Sequence, residues 1–129
     1  MKILMVYPDY ENTFWGFKKI LKLLGKKAAF PPLGLLTIGA MLPSRWEKKL
    51  VDMNTDKLRE KDIKWADYVF ISAMIVQKEQ AKKVIKLAKR ESPDCMILQI
   101  GVWPSPSLAV DIINNIKRKT PVILWSPDD

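Results

Sequence analysis

The segment "PSPSLAV" sets Ser105 and Ser107 at the start of a helical pattern. Free backbone N–H groups and the helix dipole favour a phosphate at such a place, although serine before a helix serves equally well as a plain cap. Neither serine has a credible partner base in the pattern, and the chain contains no histidine. That absence removes the usual general base near neutral pH, the histidine-containing hydrolase triad, the histidine zinc site and a histidine axial ligand. The lone cysteine, Cys95, excludes an internal disulfide and any multi-cysteine metal site, and fits a reducing cytoplasm. Asp128 and Asp129 close the sequence and read as a frayed end. No nucleophile and base stand as a pair, so the sequence alone predicts no enzyme activity.

The formal net charge of +8 invites a nucleic-acid reading. Its lysines are dispersed, however: Lys18, Lys19, Lys22, Lys26 and Lys27, then Lys78, Lys82, Lys83, Lys86 and Lys89, then Lys117 and Lys119. They fall on outward faces of several helices without a nucleic-acid motif, so no nucleic-acid partner is expected. The five tryptophans are spread through loops and strand ends and read as packing rather than a stacking surface. The apolar run in "MKILMVYPDY" is too short for a signal peptide, and no run approaches a membrane span, so a cytoplasmic protein with no membrane partner is expected.

Hydrophobic residues at 48% and charged residues at 28% are ordinary for a globular chain, and 129 residues suit one domain, 1–129. Five short apolar stretches read as strands buried on both faces: Lys2 to Tyr7, Lys48 to Met53, Asp67 to Ile75, Cys95 to Ile100 and Pro121 to Trp125. Between them Phe17, Ile20, Leu21 and Leu24 recur at helical spacing, with Asn12 or Thr13 as a cap and Gly25 as a stop. Ala81, Val84, Ile85 and Ala88 repeat that spacing, as do Ala109, Ile112, Ile113 and Ile116. The polar stretch Asn54 to Ala66 predicts a loop with about one helical turn. Alternating strands and helices predict βαβ units and a parallel sheet, with ligands beyond the carboxyl ends of the strands. The sequence stops almost as soon as the fifth strand is complete, so one face of that strand is expected to lie bare and offer a homodimer surface unless Phe14 to Leu24 covers it.

One helical segment stands apart. "FPPLGLLTIGAMLP", Phe30 to Pro43, carries no charge at all. Either its own protein buries it on every side, or one side is reserved for a large ligand. Pro31 and Pro32 set where this helix begins, a place where a missing N–H costs little, and Gly34 and Gly39 leave room for close approach.

"MKILMVYP", "TFWGFKKILKLLGKKAAFPPLGLLTIGAMLP", "LVDMN" and "WADYVFISAMIVQKE" together resemble the N-terminal cobalamin (B12)-binding domain of B12-binding radical SAM proteins, over about residues 1–90. The resemblance implies an α/β, three-layer flavodoxin-like (Rossmann-like) fold with a five-stranded parallel sheet of order 2-1-3-4-5, holding a corrin ring over the strands' carboxyl ends. It makes Pro32, Leu33 and Gly34 part of an apolar floor under the ring. It puts Ser72, Ala73, Met74 and Gln77 along the channel for the nucleotide tail, and makes Asp52 and Asn54 contacts to ring amides or, equally, residues closing a turn. Gly101 stands where the family shows a Gly-Gly pair after the fourth strand, but Val102 and Trp103 follow it here.

Two departures matter. The loop "PDYENTFWGFKK" has no histidine in place of the D-x-H-x-x-G motif, so cobalamin is expected without a protein imidazole on cobalt. The family's three-cysteine cluster motif is absent, so a non-catalytic cobalamin-binding-type domain with a corrinoid partner is expected, lacking the radical SAM module. From about residue 91 the resemblance fails, and 91–129 resembles a Rossmann-like domain of fucose and arabinose isomerases. A chimeric or engineered scaffold without ligand binding is therefore the alternative.

Overall fold

Residues 1–10, 18–26, 28, 30–91, 95–100 and 122–125 are described in the computed structural model of the chain, the last two segments as backbone. In chain order these form β1 (Lys2–Tyr7), α1 (Lys18–Leu23), α2 (Leu33–Met41), β2 (Glu47–Asp52), α3 (Glu60–Trp65), β3 (Tyr68–Ala73), a 3-10 turn (Ile75–Gln77), α4 (Lys78–Glu91), β4 (Cys95–Ile100) and β5 (Val122–Trp125). The expected helix around Ala109 to Ile116, the caps at Asn12, Thr13, Ser105 and Ser107, and the exposed face of the last strand lie outside the described residues or side chains.

β1 is central because its side chains alternate between two apolar surroundings. Leu4 and Val6 point to one side, with Val51 of β2 and Val69 and Ile71 of β3, against Ile63 of α3 and Val84, Ile85 and Ala88 of α4. Ile3, Met5 and Tyr7 point to the other, with Phe70 and against Leu35 of α2. Burial on both faces at about 1.5–3 kcal/mol for each large apolar side chain makes β1 the strand the fold is built around. β2 and β3 flank it in parallel, giving the order β2-β1-β3. The backbone of β4 runs parallel along β3, and that of β5 along β4.

The helical spacing of Ala81, Val84, Ile85 and Ala88 is borne out, since all four are buried along one stripe of α4. Gly25, the expected stop, has φ 65 and closes α1 with bonds from its N–H to the Lys22 carbonyl and from Lys26 N–H to the Leu21 carbonyl. Leu42 ends α2 in an extended conformation, as the residue before Pro43 must.

One expectation needs correction and another needs refining. β2 is not buried on both faces: Glu47, Lys48 and Lys49 are exposed, because β2 is the outer strand beside β1. The polar stretch after Asn54 is a loop with a short helix, α3, much as expected, but its polarity hid how firmly that turn packs: Ile63 reaches the core and Asp62 is buried beside it. Asp62 accepts from the Arg59 amide at 3.0 Å, satisfying one free N–H at the helix start, and from Lys49 Nζ at 2.5 Å. Burial alone would raise the Asp62 carboxyl, but the bonds from Lys49 and the Arg59 amide, with the charges of Lys49 and Lys61, outweigh it and hold the group below the usual carboxylate range.

Asp62→Ala should therefore lower stability by about 1–2 kcal/mol at neutral pH. A folded carboxyl held low stabilises fully above its unfolded value and less as pH falls through the folded one. The gap between wild type and variant in urea melts should accordingly close below about pH 4; a gap that persists in acid contradicts the assigned pairing.

Candidate functional site

In a parallel sheet flanked by helices the open crevice lies past the carboxyl ends of the strands. Tyr7 ends β1 directly opposite Asp52, the last residue of β2. It also stands one step beyond the Val6–Ile71 pair, which puts Ser72 of β3 on its other side. Alternation sends Tyr7, Asp52 and Ser72 to the same face as Met5, Leu50 and Phe70, the face covered by α2. A polar row thus crosses three strands at the mouth of the sheet.

The loops beyond this row are tied together through one acceptor. The Pro8 carbonyl receives Gln77 Nε2 at 2.5 Å and Asn54 Nδ2 at 3.4 Å. Gln77 is wholly buried, and its Oε1 takes the Met74 amide at 2.8 Å. Asn54 Oδ1 takes the Tyr10 amide at 3.0 Å, while Asn54 N and Nδ2 both donate to Asp52 Oδ1, at 2.9 and 2.8 Å. The side-chain hydrogen-bonding capacity of Gln77 and Asn54 is therefore largely spent within the chain. These two hold the rim; they do not reach out from it.

Tyr7 and Tyr10 form a second buried polar pair. Their hydroxyls lie 2.7 Å apart, their rings meet edge to face at 6.0 Å, and Phe30 tilts over Tyr10 at 6.5 Å. Burial, then the hydrogen bond and charge of Tyr7, then the charge of Asp52 push the Tyr10 phenol upward, so it stays protonated at physiological pH.

α2 packs on β1 and β3 on this face. The Pro32 carbonyl takes the first helical bond, from Leu36 N–H at 3.0 Å, while the Pro32 ring is buried. Leu35, Ile38 and Leu42 pack on the sheet, and Gly39 lets the helix lie so close that an added Cβ would stand 3.2 Å from Met5 Sδ. Leu33, Gly34, Leu36, Thr37, Ala40 and Met41 make the opposite stripe; it is exposed and uncharged, with Leu33 67% and Met41 80% accessible. The segment is thus not buried on every side.

The expected site residues therefore separate into groups. Asp52 and Ser72 stand in the polar row, Leu33 and Gly34 on the open stripe, and Pro32 under it. Ala73 is buried, and Met74 packs in the cluster beneath α2. Gly101, with Val102 and Trp103, lies outside the described residues. Sequence reasoning missed Tyr7, Pro8 and Tyr10; the only hint was two tyrosines three apart where β1 runs into its loop. A second groove, bounded by Glu47, Lys48, Lys49, Lys61, Asp62 and Trp65, lies toward the amino end of β2. Lys49 there is engaged by Asp62, and Lys48 by the Leu42 and Pro43 carbonyls. Among the described residues no group of three acidic, cysteine or histidine side chains could hold a metal ion, and no helix is long and apolar enough to cross a membrane.

No family model and no solved structure matches the chain. An uncharacterized methyltransferase of Synechocystis sp. is 47% identical over 89 residues, which is 69% of this chain and 17% of that relative. A hopanoid C-2 methylase of Rhodopseudomonas palustris is 40% identical over 88 residues, 67% of this chain and again 17% of the relative. The matched stretch thus spans about a sixth of the length of each of these curated relatives. This overturns the expectation of no enzyme: both relatives are named for methyl transfer, so the shared stretch points to an origin in an enzyme family. The missing histidine excludes imidazole chemistry within these 129 residues and has no bearing on methyl transfer. Neither match supports a join of two parents or an engineered origin.

Gln77→Leu should strand the Met74 amide and leave the Pro8 carbonyl with only the 3.4 Å bond from Asn54, without changing side-chain volume much. A loss of about 2–4 kcal/mol in denaturant melts is expected; a near-neutral effect would mean the two loops are held by other means.

Proposed function

We propose that this chain is a corrinoid-binding domain serving methyl transfer, a single unit over 1–129 with the five-stranded, three-layer flavodoxin-like sheet of order 2-1-3-4-5. The observation that carries the reading is α2: a charge-free helix, open on one side, that packs on β1 and β3 and is preceded by Phe30 against Tyr10, just past the carboxyl end of β1. Solvent gives no reason to keep six successive outward positions free of charge, whereas a broad apolar ligand does. The similarity to proteins named for methyl transfer adds independent support.

The residues present suit such a group. The open stripe of Leu33, Gly34 and Leu36 offers an apolar flank, and Ser72 and Asp52 offer polar atoms at the mouth of the sheet. Asn54, Met74 and Gln77 act from behind by fixing the loops, and Ala73 keeps the strand end narrow; Gly101, which the resemblance gives to the tail, lies outside the described residues. No imidazole is available to the cobalt. A bound corrinoid supplies a cobalt centre able to carry methyl groups; the protein's part is to orient it and keep water from one side.

Titration with hydroxocobalamin tests this. Binding should shift the visible spectrum, and a hundredfold excess over Kd should stabilise the fold by about 2.7 kcal/mol. Ser72→Trp should weaken binding by at least tenfold, an expected loss of about 1.4 kcal/mol or more. A folded protein whose melting temperature and spectrum ignore hydroxocobalamin would end the reading.

A further inference from the structure

Two hydroxyls sharing one hydrogen bond leave one proton over. In the Tyr7–Tyr10 pair one O–H donates to the other oxygen, and among the described residues no acceptor takes the second proton. Both side chains are more than nine-tenths buried, with Tyr7 7% and Tyr10 6% exposed, so an unmet donor there carries a desolvation cost. Beside them, Asp52 Oδ1 takes both bonds from Asn54, and among the described residues Oδ2 takes none. Tyr7 and Asp52 are direct partners across the β1–β2 ladder and share a face. Among the described residues one unmet donor and one unmet acceptor therefore lie on the same face at the mouth of the sheet, with Asp52 near enough for its charge to act on Tyr10.

A primary carboxamide is the complement of such a pair, since its oxygen accepts and its NH2 group donates. A carboxylate is not: its oxygens would accept from the tyrosine but face Asp52 with like charge. We propose that the Tyr7–Tyr10 pair and Asp52 Oδ2 form a clamp for one propionamide arm of the corrinoid, so that the site selects the amidated ligand over its acid form. This rests on the corrinoid reading and names the arm that the site recognises. The longer propionamide is preferred to an acetamide because the hydroxyls lie below the surface.

The test compares hydroxocobalamin with its b-, d- and e-monocarboxylic acids, in each of which one propionamide has become a carboxylate, by absorbance titration of the full chain. Wild type should bind hydroxocobalamin at least about tenfold more tightly than one of the three. Asp52→Asn retains an Oδ1 acceptor for Asn54 and replaces Oδ2 by a donor, so it should abolish or reverse that preference. Tyr10→Phe should weaken hydroxocobalamin binding by about three- to tenfold. The ratio between ligands within one variant is independent of how much of that variant folds. If all three acids bind within twofold of hydroxocobalamin, or if the preference survives in Asp52→Asn, the clamp is overturned while the corrinoid reading stands. If wild type binds none of the four, both fall together.

Discussion

The Pro8 carbonyl is the constraint on which the mouth of this sheet depends. Three strands end side by side, and each is followed by a chain segment that has left the ladder and must satisfy its backbone in some other way. A single oxygen just past β1 collects a donor from the segment after β3 and another from the segment after β2. Gln77 and Asn54 then each turn an oxygen back onto a further amide, at Met74 and Tyr10. The three loops consequently hold one another, and the polar row of Asp52, Tyr7 and Ser72 inherits a defined geometry. Proline at position 8 has no N–H of its own to satisfy, so its contribution to this network is only to accept.

The two faces of the sheet are asymmetric. Under α4 and α3 the core is closed: Val84, Ile85, Ala88 and Ile63 fit over Leu4, Val6, Val69 and Ile71, with the charge of α4 turned outward. Under α2 the packing relies on fewer large side chains, chiefly Leu35 with Ile38 and Leu42, and on the missing side chain of Gly39. One face secures stability through ordinary burial, while the other keeps its helix close to the strands and its outer side free of charge. That division is consistent with a helix serving two surroundings, its own sheet and a ligand.

Much of this was legible in the residues. The strand segments announce themselves as apolar runs, and α4 as a stripe at helical spacing, because periodicity survives in sequence whatever the tertiary context. The unusual character of Phe30 to Pro43 was visible too, as was the stop at Gly25, whose left-handed φ only glycine adopts cheaply. Less legible were roles set by partners far away in sequence. Asn54 and Gln77 have the chemistry of ligand contacts, yet each is consumed by Pro8, 46 and 69 positions distant. Asp62 looked like one more charge in a polar loop, and its burial follows from Lys49 on the neighbouring strand. Tyr10 sits among mixed residues with no pattern to mark it, and its partner Tyr7 read simply as the end of an apolar strand.

The exposed half of β2 has a bearing on how the molecule behaves at high concentration. As the outer strand it presents a row of backbone groups that a second sheet could pair with, a route by which β-containing proteins form fibrils. Glu47, Lys48 and Lys49 stand on that border. Approach of an identical border would bring ammonium groups together and strip them of water, so lateral growth of the sheet is discouraged from this side at the expense of some apolar burial. The charge that guards this edge sits on β2, and the outer side of α2 carries none.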